Sequence, residues 1–305
     1  MELEYFVVDA FTREPFQGAQ IAVLPDAGNL SARQMQQISA ELKLDETVFL
    51  IRYDADDVSL RVFAGSVETS VFGAPLIACG HLLGANRLLE LQPGINDLQV
   101  SNGVESAQLG LLVANGELQR VQYALQVTPR VDRFVPARSE LAAFLSLSVD
   151  DLDTADQLRP LLVASPRPYL IVGVRSLTAL RQARFDYSSW SLSSAPSMLA
   201  QEILLVSTEC EDNEANFHAR LVGPAIGVSE DPPVGSALAA LACWLCEHDH
   251  IRQGTYPFGV ERGSRLTRHS LLHVEMDNLG REQLPLRVSG NAAVVCRGSI
   301  LLPTA

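Results

Sequence analysis

Apolar residues recur along this chain with two periods, every second residue in some stretches and every third or fourth in others. The alternation of the two predicts its elements. Short β-branched or aromatic runs closed by turn residues predict strands at 5–11 and 21–24. Ser31-Ala32-Arg33-Gln34 carries a capping-box pattern and opens an amphipathic helix through about residue 43. Strands follow at 47–51 and 58–63. A helix of small apolar residues is predicted over 75–89, with Pro75 in its first turn, where no backbone N–H is required. Two more strands fit 109–113 and 121–125. The second half repeats this vocabulary: strands at 169–174, 203–207 and 217–222, a second small-residue helix at 236–247, and closing strands at 271–275 and 293–296. Residues 128–138 hold two prolines and no clear period, which places a linker there. The expected organisation is an N-terminal α+β domain over 1–127 and a C-terminal α+β domain over 128–285, with 286–305 pairing back onto the first.

The entrances of the two apolar helices look alike. One reads Arg61-Val62-Phe63, a polar loop, then Val71-Phe72-Gly73-Ala74-Pro75-Leu76-Ile77-Ala78. The other reads Arg220-Leu221-Val222, a longer loop, then Pro233-Val234-Gly235-Ser236-Ala237-Leu238-Ala239-Ala240. A helix apolar on nearly all sides must be wrapped by other structure. The pattern therefore predicts a duplicated domain, each copy a curled, mostly antiparallel sheet around one central helix, against chance likeness of two strand–helix units. If the halves pack face to face, two helix N-termini converge on one cleft and favour an anion there, typically a carboxylate. Gly73 and Gly235 would let the backbone approach it closely.

Composition narrows the partners. The 305 residues carry 36 acidic and 23 basic side chains, a formal net charge of −13. With no basic run, that balance argues against nucleic acid or an anionic membrane. Lys43 is the sole lysine, a bias that codon usage explains. It leaves one candidate for chemistry that needs a placed lysine, such as a Schiff base. The longest apolar run, 237–246, is too short to span a bilayer. The acidic Met1-Glu2-Leu3-Glu4 start does not resemble a signal peptide, and the five cysteines are odd in number and scattered. A soluble cytoplasmic protein is expected.

Dinucleotide, Walker, nucleophile-elbow and zinc-protease motifs do not occur. Cys243-Trp244-Leu245-Cys246 with His248 and His250 invites a metal or redox reading, but the cysteines fall inside the apolar helix, where a thiol packs as a small hydrophobe. No second ligand pair accompanies them, so no metal is expected. Glu46 stands between a helix end and a strand start; taken alone it reads as a turn carboxylate. Glu230-Asp231 reads as an acidic pair complementing a helix dipole, and Ser236 as an ordinary N-cap.

Together these segments resemble the PhzF-like phenazine-biosynthesis isomerase family, which has the diaminopimelate epimerase-like fold. The likeness runs from Val8-Asp9-Ala10-Phe11-Thr12 and Pro15-Phe16-Gln17-Gly18, through Leu44-Asp45-Glu46-Thr47-Val48-Phe49 and Gly73 with Pro75, to Gly227-Val228-Ser229-Glu230-Asp231-Pro232 and Gly235-Ser236-Ala237. It closes with Arg287-Val288-Ser289-Gly290 through Gly298. The resemblance implies two pseudo-symmetric domains, a homodimer, and acid/base catalysis on a small carboxylate-bearing substrate without cofactor or metal. It places the proton-shuttling glutamate on Glu46, a substrate-holding aspartate on Asp231, and substrate-binding turns on Gly73 and on Gly235 with Ser236. Three positions depart from the family. Ala74 stands where the family has histidine, Gly18-Ala19-Gln20 where it has Gly-Asn-Pro, and Arg262-Gly263 where it has a glutamine–glycine pair. Epimerase relatives use a cysteine at each helix entrance, whereas Cys79 and Cys243 lie deeper in the helices. The implied activity is a cofactor-independent isomerase; the alternative is a member that binds a small metabolite without isomerising it, because alanine can neither donate a hydrogen bond nor carry a proton.

Overall fold

A computed structural model describes residues 2–128, 130–153, 158–165, 167–198, 200–226, 231–247, 253–280 and 282–302. The chain divides into two compact units, one of 1–125 with 264–272 and 287–305, the other of 126–263 with 273–286. In chain order the elements begin β1 (Glu2–Ala10), β2 (Ala19–Leu24), α1 (Ala32–Leu42), β3 (Glu46–Tyr53), β4 (Asp57–Ala64), β5 (Val67–Glu68) and α2 (Ala74–Ala85). They continue β6 (Gly94–Ser101), β7 (Ser106–Ala114), β8 (Glu117–Val127), β9 (Arg130–Asp132), α3 (Arg138–Phe144), β10 (Leu161–Ala164), β11 (Pro168–Gly173), α4 (Leu177–Gln182) and α5 (Tyr187–Leu192). The remainder is β12 (Glu202–Ser207), β13 (Phe217–Val222), α6 (Leu238–Cys246), β14 (Gly254–Arg262), β15 (Ser270–Asn278), β16 (Leu284–Gly290) and β17 (Ala292–Leu301).

In the first unit the capping box forms as its residues dictate. Ser31 Oγ accepts from the Gln34 N–H at 3.3 Å, and Gln34 Oε1 accepts from the Ser31 N–H at 3.0 Å. The helix stops at Lys43, which takes a left-handed φ of +52°. Nine of the twelve α2 residues are buried, so no face is left for water. The helix packs against β1, β2, β3, β7 and β17. At Gly80 an added Cβ would lie 2.7 Å from Val121 Cγ1 and 2.9 Å from Leu111 Cδ2, so the helix meets β7 and β8 as closely as glycine allows. α2 ends at Ala85, short of the predicted residue 89, because Arg87 turns left-handed and the Leu89 N–H folds back to Leu83 O. The last strand, β17, runs antiparallel along β1 from Glu2↔Leu301 to Ala10↔Ala292.

The strand pairing shows the duplication. In the first unit β1 pairs antiparallel with β2, β2 parallel with β3, β3 antiparallel with β4, and β4 parallel with β6. In the second, β10, β11, β12, β13 and β14 pair in the same sequence of directions. In both units the apolar helix bridges the last parallel pair, α2 between β4 and β6, α6 between β13 and β14. The fold is α+β, with a mostly antiparallel sheet and one buried helix in each repeat. On β11, Leu170 and Val172 face a cluster formed with α3, α4 and α5 around Phe144, Leu180 and Trp190, which puts Tyr169 and Ile171 on the opposite face. No helix among the described residues is long and apolar enough to cross a membrane.

One buried polar group stands out. Thr47 is fully buried on β3, and its hydroxyl has no hydrogen-bond partner among the described residues. Thr47→Val replaces an unsatisfied hydroxyl by a methyl group of similar size. It is expected to stabilise the chain by about 1 kcal/mol, read as a higher urea midpoint at unchanged slope. A lower midpoint would contradict this account.

Candidate active site

In the first unit Glu46 is the opening residue of β3, half-buried, beside Ile21 of β2. The turn before it is pinned: Asp45 Oδ2 accepts from the Gln20 N–H at 2.8 Å. A proline at position 20, as the family pattern has, would lack that N–H. The departure at Gln20 therefore supplies the bond that holds the residue next to Glu46. The α2 entrance is fixed just as closely. Glu105 accepts from Ser70 Oγ (3.1 and 3.0 Å) and from the Val71 N–H (3.0 Å), latching the loop that leads to Gly73. Gly73 has φ +101° and ψ −138°, a conformation natural to glycine, and no side chain caps the helix it precedes.

Tyr123 of β8 joins these two features. Its ring is buried and packs 6.0 Å from that of Phe72, and its hydroxyl oxygen takes a hydrogen bond from the Gly73 backbone. Burial pushes the phenol's pKa well up, the Gly73 bond opposes this, and the nearby Glu46 charge adds to it. The phenol is therefore a neutral hydroxyl within electrostatic reach of Glu46. Ala74, only 2% exposed, contributes a methyl group where a histidine would place a ring nitrogen.

In the second unit the sequence reading of the entrance changes. The segment Gly235–Ala237 forms a 3-10 turn, α6 begins at Leu238, and the N-cap position falls on Ala237. Ser236 is therefore not the helix cap. Its Oγ instead accepts a hydrogen bond from the Tyr169 hydroxyl at 3.2 Å. Nor does Asp231 complement the helix dipole, since the first turn of α6 holds no acidic residue. Asp231 Oδ2 lies 3.7 Å from Nε of the buried Arg262, while its Oδ1 has no hydrogen-bond partner among the described residues. Arg220 is the second neighbouring cation. Burial holds its guanidinium pKa below the usual value while the Asp231 charge opposes that shift. Its Nη1 donates to the carbonyls of Leu180, Arg181 and Ala183. Asp231 Oδ1 is thus a buried acceptor whose hydrogen-bonding capacity is unspent among the described residues, with two guanidinium charges near its carboxylate.

The remaining sequence candidates behave as core. Burial pushes the Cys243 thiol up to about 12 and Cys246 up to about 11, so neither is a ready thiolate. Among the described residues no group of three or more His, Cys, Asp and Glu is arranged to hold a metal. His248, His250 and residues 227–230 lie outside the described residues. The sequence reading missed Tyr123 and Tyr169 altogether. Both sit at alternating strand positions with no motif around them, and only strand pairing brings them to the helix entrances.

Over 98% of its length the chain is 29% identical to the trans-2,3-dihydro-3-hydroxyanthranilate isomerase of Pseudomonas chlororaphis, covering 99% of that protein. An uncharacterized isomerase of Clostridium acetobutylicum is 25% identical, with 97% of each chain covered. Among solved structures, a PhzF-family phenazine biosynthesis protein of Bacillus anthracis aligns with a TM-score of 0.85 at 20% identity, covering 99% of this chain and 100% of that one; at this identity the likeness is one of fold. The PhzC-PhzF family model, described as phenazine biosynthesis-like protein, matches residues 8–298, and the chain belongs to that family.

Proposed function

We propose that this chain is an isomerase that shifts a proton on a small carboxylate-bearing metabolite, with Glu46 as the proton carrier. The observation that carries the reading is the placement of Glu46, the opening residue of a pinned strand, near the Tyr123 hydroxyl that Gly73 holds at the α2 entrance. The Pseudomonas relatives, named as isomerases of trans-2,3-dihydro-3-hydroxyanthranilate, support it. The reaction needs one group that is base and acid in turn. Glu46 removes a proton from a carbon beside an unsaturated group, the double bond migrates, and the same carboxyl returns the proton to a second carbon. Nothing is oxidised or reduced, so carboxylate chemistry suffices. Asp231 accepts from a substrate donor, and the Gly235-Ser236 turn holds the carboxylate. The assembly proposed with this reading is a homodimer.

The test begins with a thermal-shift screen of small carboxylates led by trans-2,3-dihydro-3-hydroxyanthranilate, since a ligand stabilises the folded state by mass action. Each hit is then incubated with the protein in deuterated water. Deuterium appearing on a product carbon is the expected result. Binding without exchange would overturn the isomerase reading and favour a family member that holds a metabolite without converting it, the outcome to which Ala74 points.

A further inference from the structure

We propose that Tyr123 is a further catalytic residue of the proton shift. Its hydroxyl, anchored on Gly73 at the α2 entrance, donates a hydrogen bond to the substrate oxygen that gathers charge while Glu46 holds the proton. This rests on the reading of Glu46 as proton carrier. Strand register brings the phenol to that entrance. Tyr123 is opposite Leu109 in the β7–β8 ladder and shares its face with Val121, which is opposite Leu111. Val121, Leu111 and Leu109 are the side chains that crowd Gly80 in the middle of α2. One step along that face Tyr123 lies beside Phe72, with ring centroids 6.0 Å apart, and only 1% of it is exposed. A backbone N–H can only donate, so the Gly73 bond takes a lone pair of the phenol and leaves its proton unspent. No described residue accepts that proton, and Glu46 acts on the phenol through its charge alone.

The reaction has a use for such a donor. When Glu46 takes a proton from carbon, the C–H electron pair enters the adjacent unsaturated group and spreads to an oxygen conjugated with it. A fixed donor at that oxygen binds the charged intermediate more tightly than the substrate, which raises kcat rather than affinity. The phenol keeps its own proton throughout. As Glu46 returns its proton to the second carbon, the electron pair enters the new C–H bond and the charge leaves the oxygen. Two features suit Tyr123 to this part. Gly73 is the N-cap of α2, so its N–H lies at the positive end of the helix and polarises the phenol, strengthening the O–H as a donor. Burial first, with the Glu46 charge adding to it, holds the phenol protonated when the reaction begins. That charge vanishes once Glu46 has taken up the proton, and the phenol becomes the stronger donor in the step where the substrate is charged. Ala74 brings no side-chain donor to this entrance, where the family pattern has histidine. The substrate class narrows accordingly, to carboxylates whose reacting double bond is conjugated with an oxygen-bearing group.

Turnover and deuterium exchange in the wild-type chain and Tyr123→Phe provide the test, with trans-2,3-dihydro-3-hydroxyanthranilate and then each other carboxylate that the thermal-shift screen returns. Tyr123→Phe keeps the ring against Phe72 and is expected to lower kcat about a hundredfold, the scale of one lost charge-stabilising donor, with KM little changed. A folded Tyr123→Phe chain with wild-type kcat and KM overturns the proposal and leaves Glu46 in place. A raised KM at unchanged kcat also overturns it, because the phenol would then act in ground-state binding or packing. A wild-type chain that neither turns over nor exchanges any of these compounds overturns the isomerase reading, and the role of Tyr123 with it. A ligand-free measurement needs no Tyr123 variant: the 13C signal of the Tyr123 ring carbon bearing oxygen should move between the wild-type chain and Glu46→Gln, which removes the neighbouring charge. A moved signal supports the pairing of phenol and carboxylate. An unmoved one overturns it, whatever the kinetics show.

Discussion

Glu46→Gln is expected to lower turnover on the substrate found by the screen about a thousandfold, the scale of a lost acid/base group. The amide matches the carboxylate in size and fits the same half-buried start of β3, so the thermal midpoint should not move. What it cannot do is take up a proton at neutral pH and return it. Deuterium exchange should fall by the same factor as turnover, because both pass through the same carboxyl. Glu46→Asp separates chemistry from placement. It retains a carboxylate but withdraws it by one methylene, and a misplacement of about 1 Å costs on the order of a hundredfold. A folded Glu46→Gln chain with full turnover would remove Glu46 from the mechanism.

The parts of this fold that were legible in the sequence are those whose signal is local. The capping box at Ser31 and Gln34, the apolar helices and the β-branched strands around Ile21, Val48 and Leu204 all lie where the residue pattern puts them. Other strands escaped for equally local reasons. β14 contains Pro257 with Gly254 and Gly259, and β16 contains Pro285, all residues that argue against a strand in isolation. β6 buries only Leu98 and Val100 among residues of weak strand preference. The helices α3, α4 and α5 are six or seven residues long, too short to display a period, and their stability comes from the cluster around Trp190. The site divides in the same way. Glu46, Gly73 and Arg220 lie in segments that the sequence pattern marks, whereas Tyr123 and Tyr169 reach the helix entrances only through strand pairing.

The scarcity of lysine acquires a structural sense here. Arg268 donates at once to Asp9, to Gly18 O and to Gln17 O, clamping the turn that follows β1. Arg220 serves three carbonyls from one guanidinium nitrogen. Donation from two nitrogens of one plane, as Arg268 Nε and Nη2 show, suits a guanidinium and not a single ammonium point charge. Burial raises the pKa of Asp9, with Arg268 opposing that rise. A carboxyl whose folded pKa lies above its unfolded value binds more protons when folded. Asp9 thus costs stability as pH rises from the unfolded carboxylate range through its own folded pKa. Arg268 limits that cost, and its loss would deepen it.

The largest stability effect is expected at Glu261, where Glu261→Leu should cost about 3–5 kcal/mol in urea unfolding, the range for removing one partner of a buried pair. Glu261 and His218 are both essentially inaccessible, with His218 Nδ1 at 2.7 Å from Glu261 Oε1. The same carboxylate accepts from the backbone N–H groups of Glu211 and Asp212 at 2.7 and 2.8 Å, so it also holds the turn between β12 and β13. Leucine fills the volume but leaves the imidazole and the turn without an acceptor. Packing alone would predict a small loss; hydrogen bonding predicts a large one. The double variant His218→Leu with Glu261→Leu decides between them, since removing both partners leaves no buried imidazole uncompensated. It is expected to regain part of the lost stability relative to Glu261→Leu. Equal instability in the two would assign the effect to the 208–212 turn, and a Glu261→Leu chain as stable as wild type would show that the pair contributes nothing to the fold.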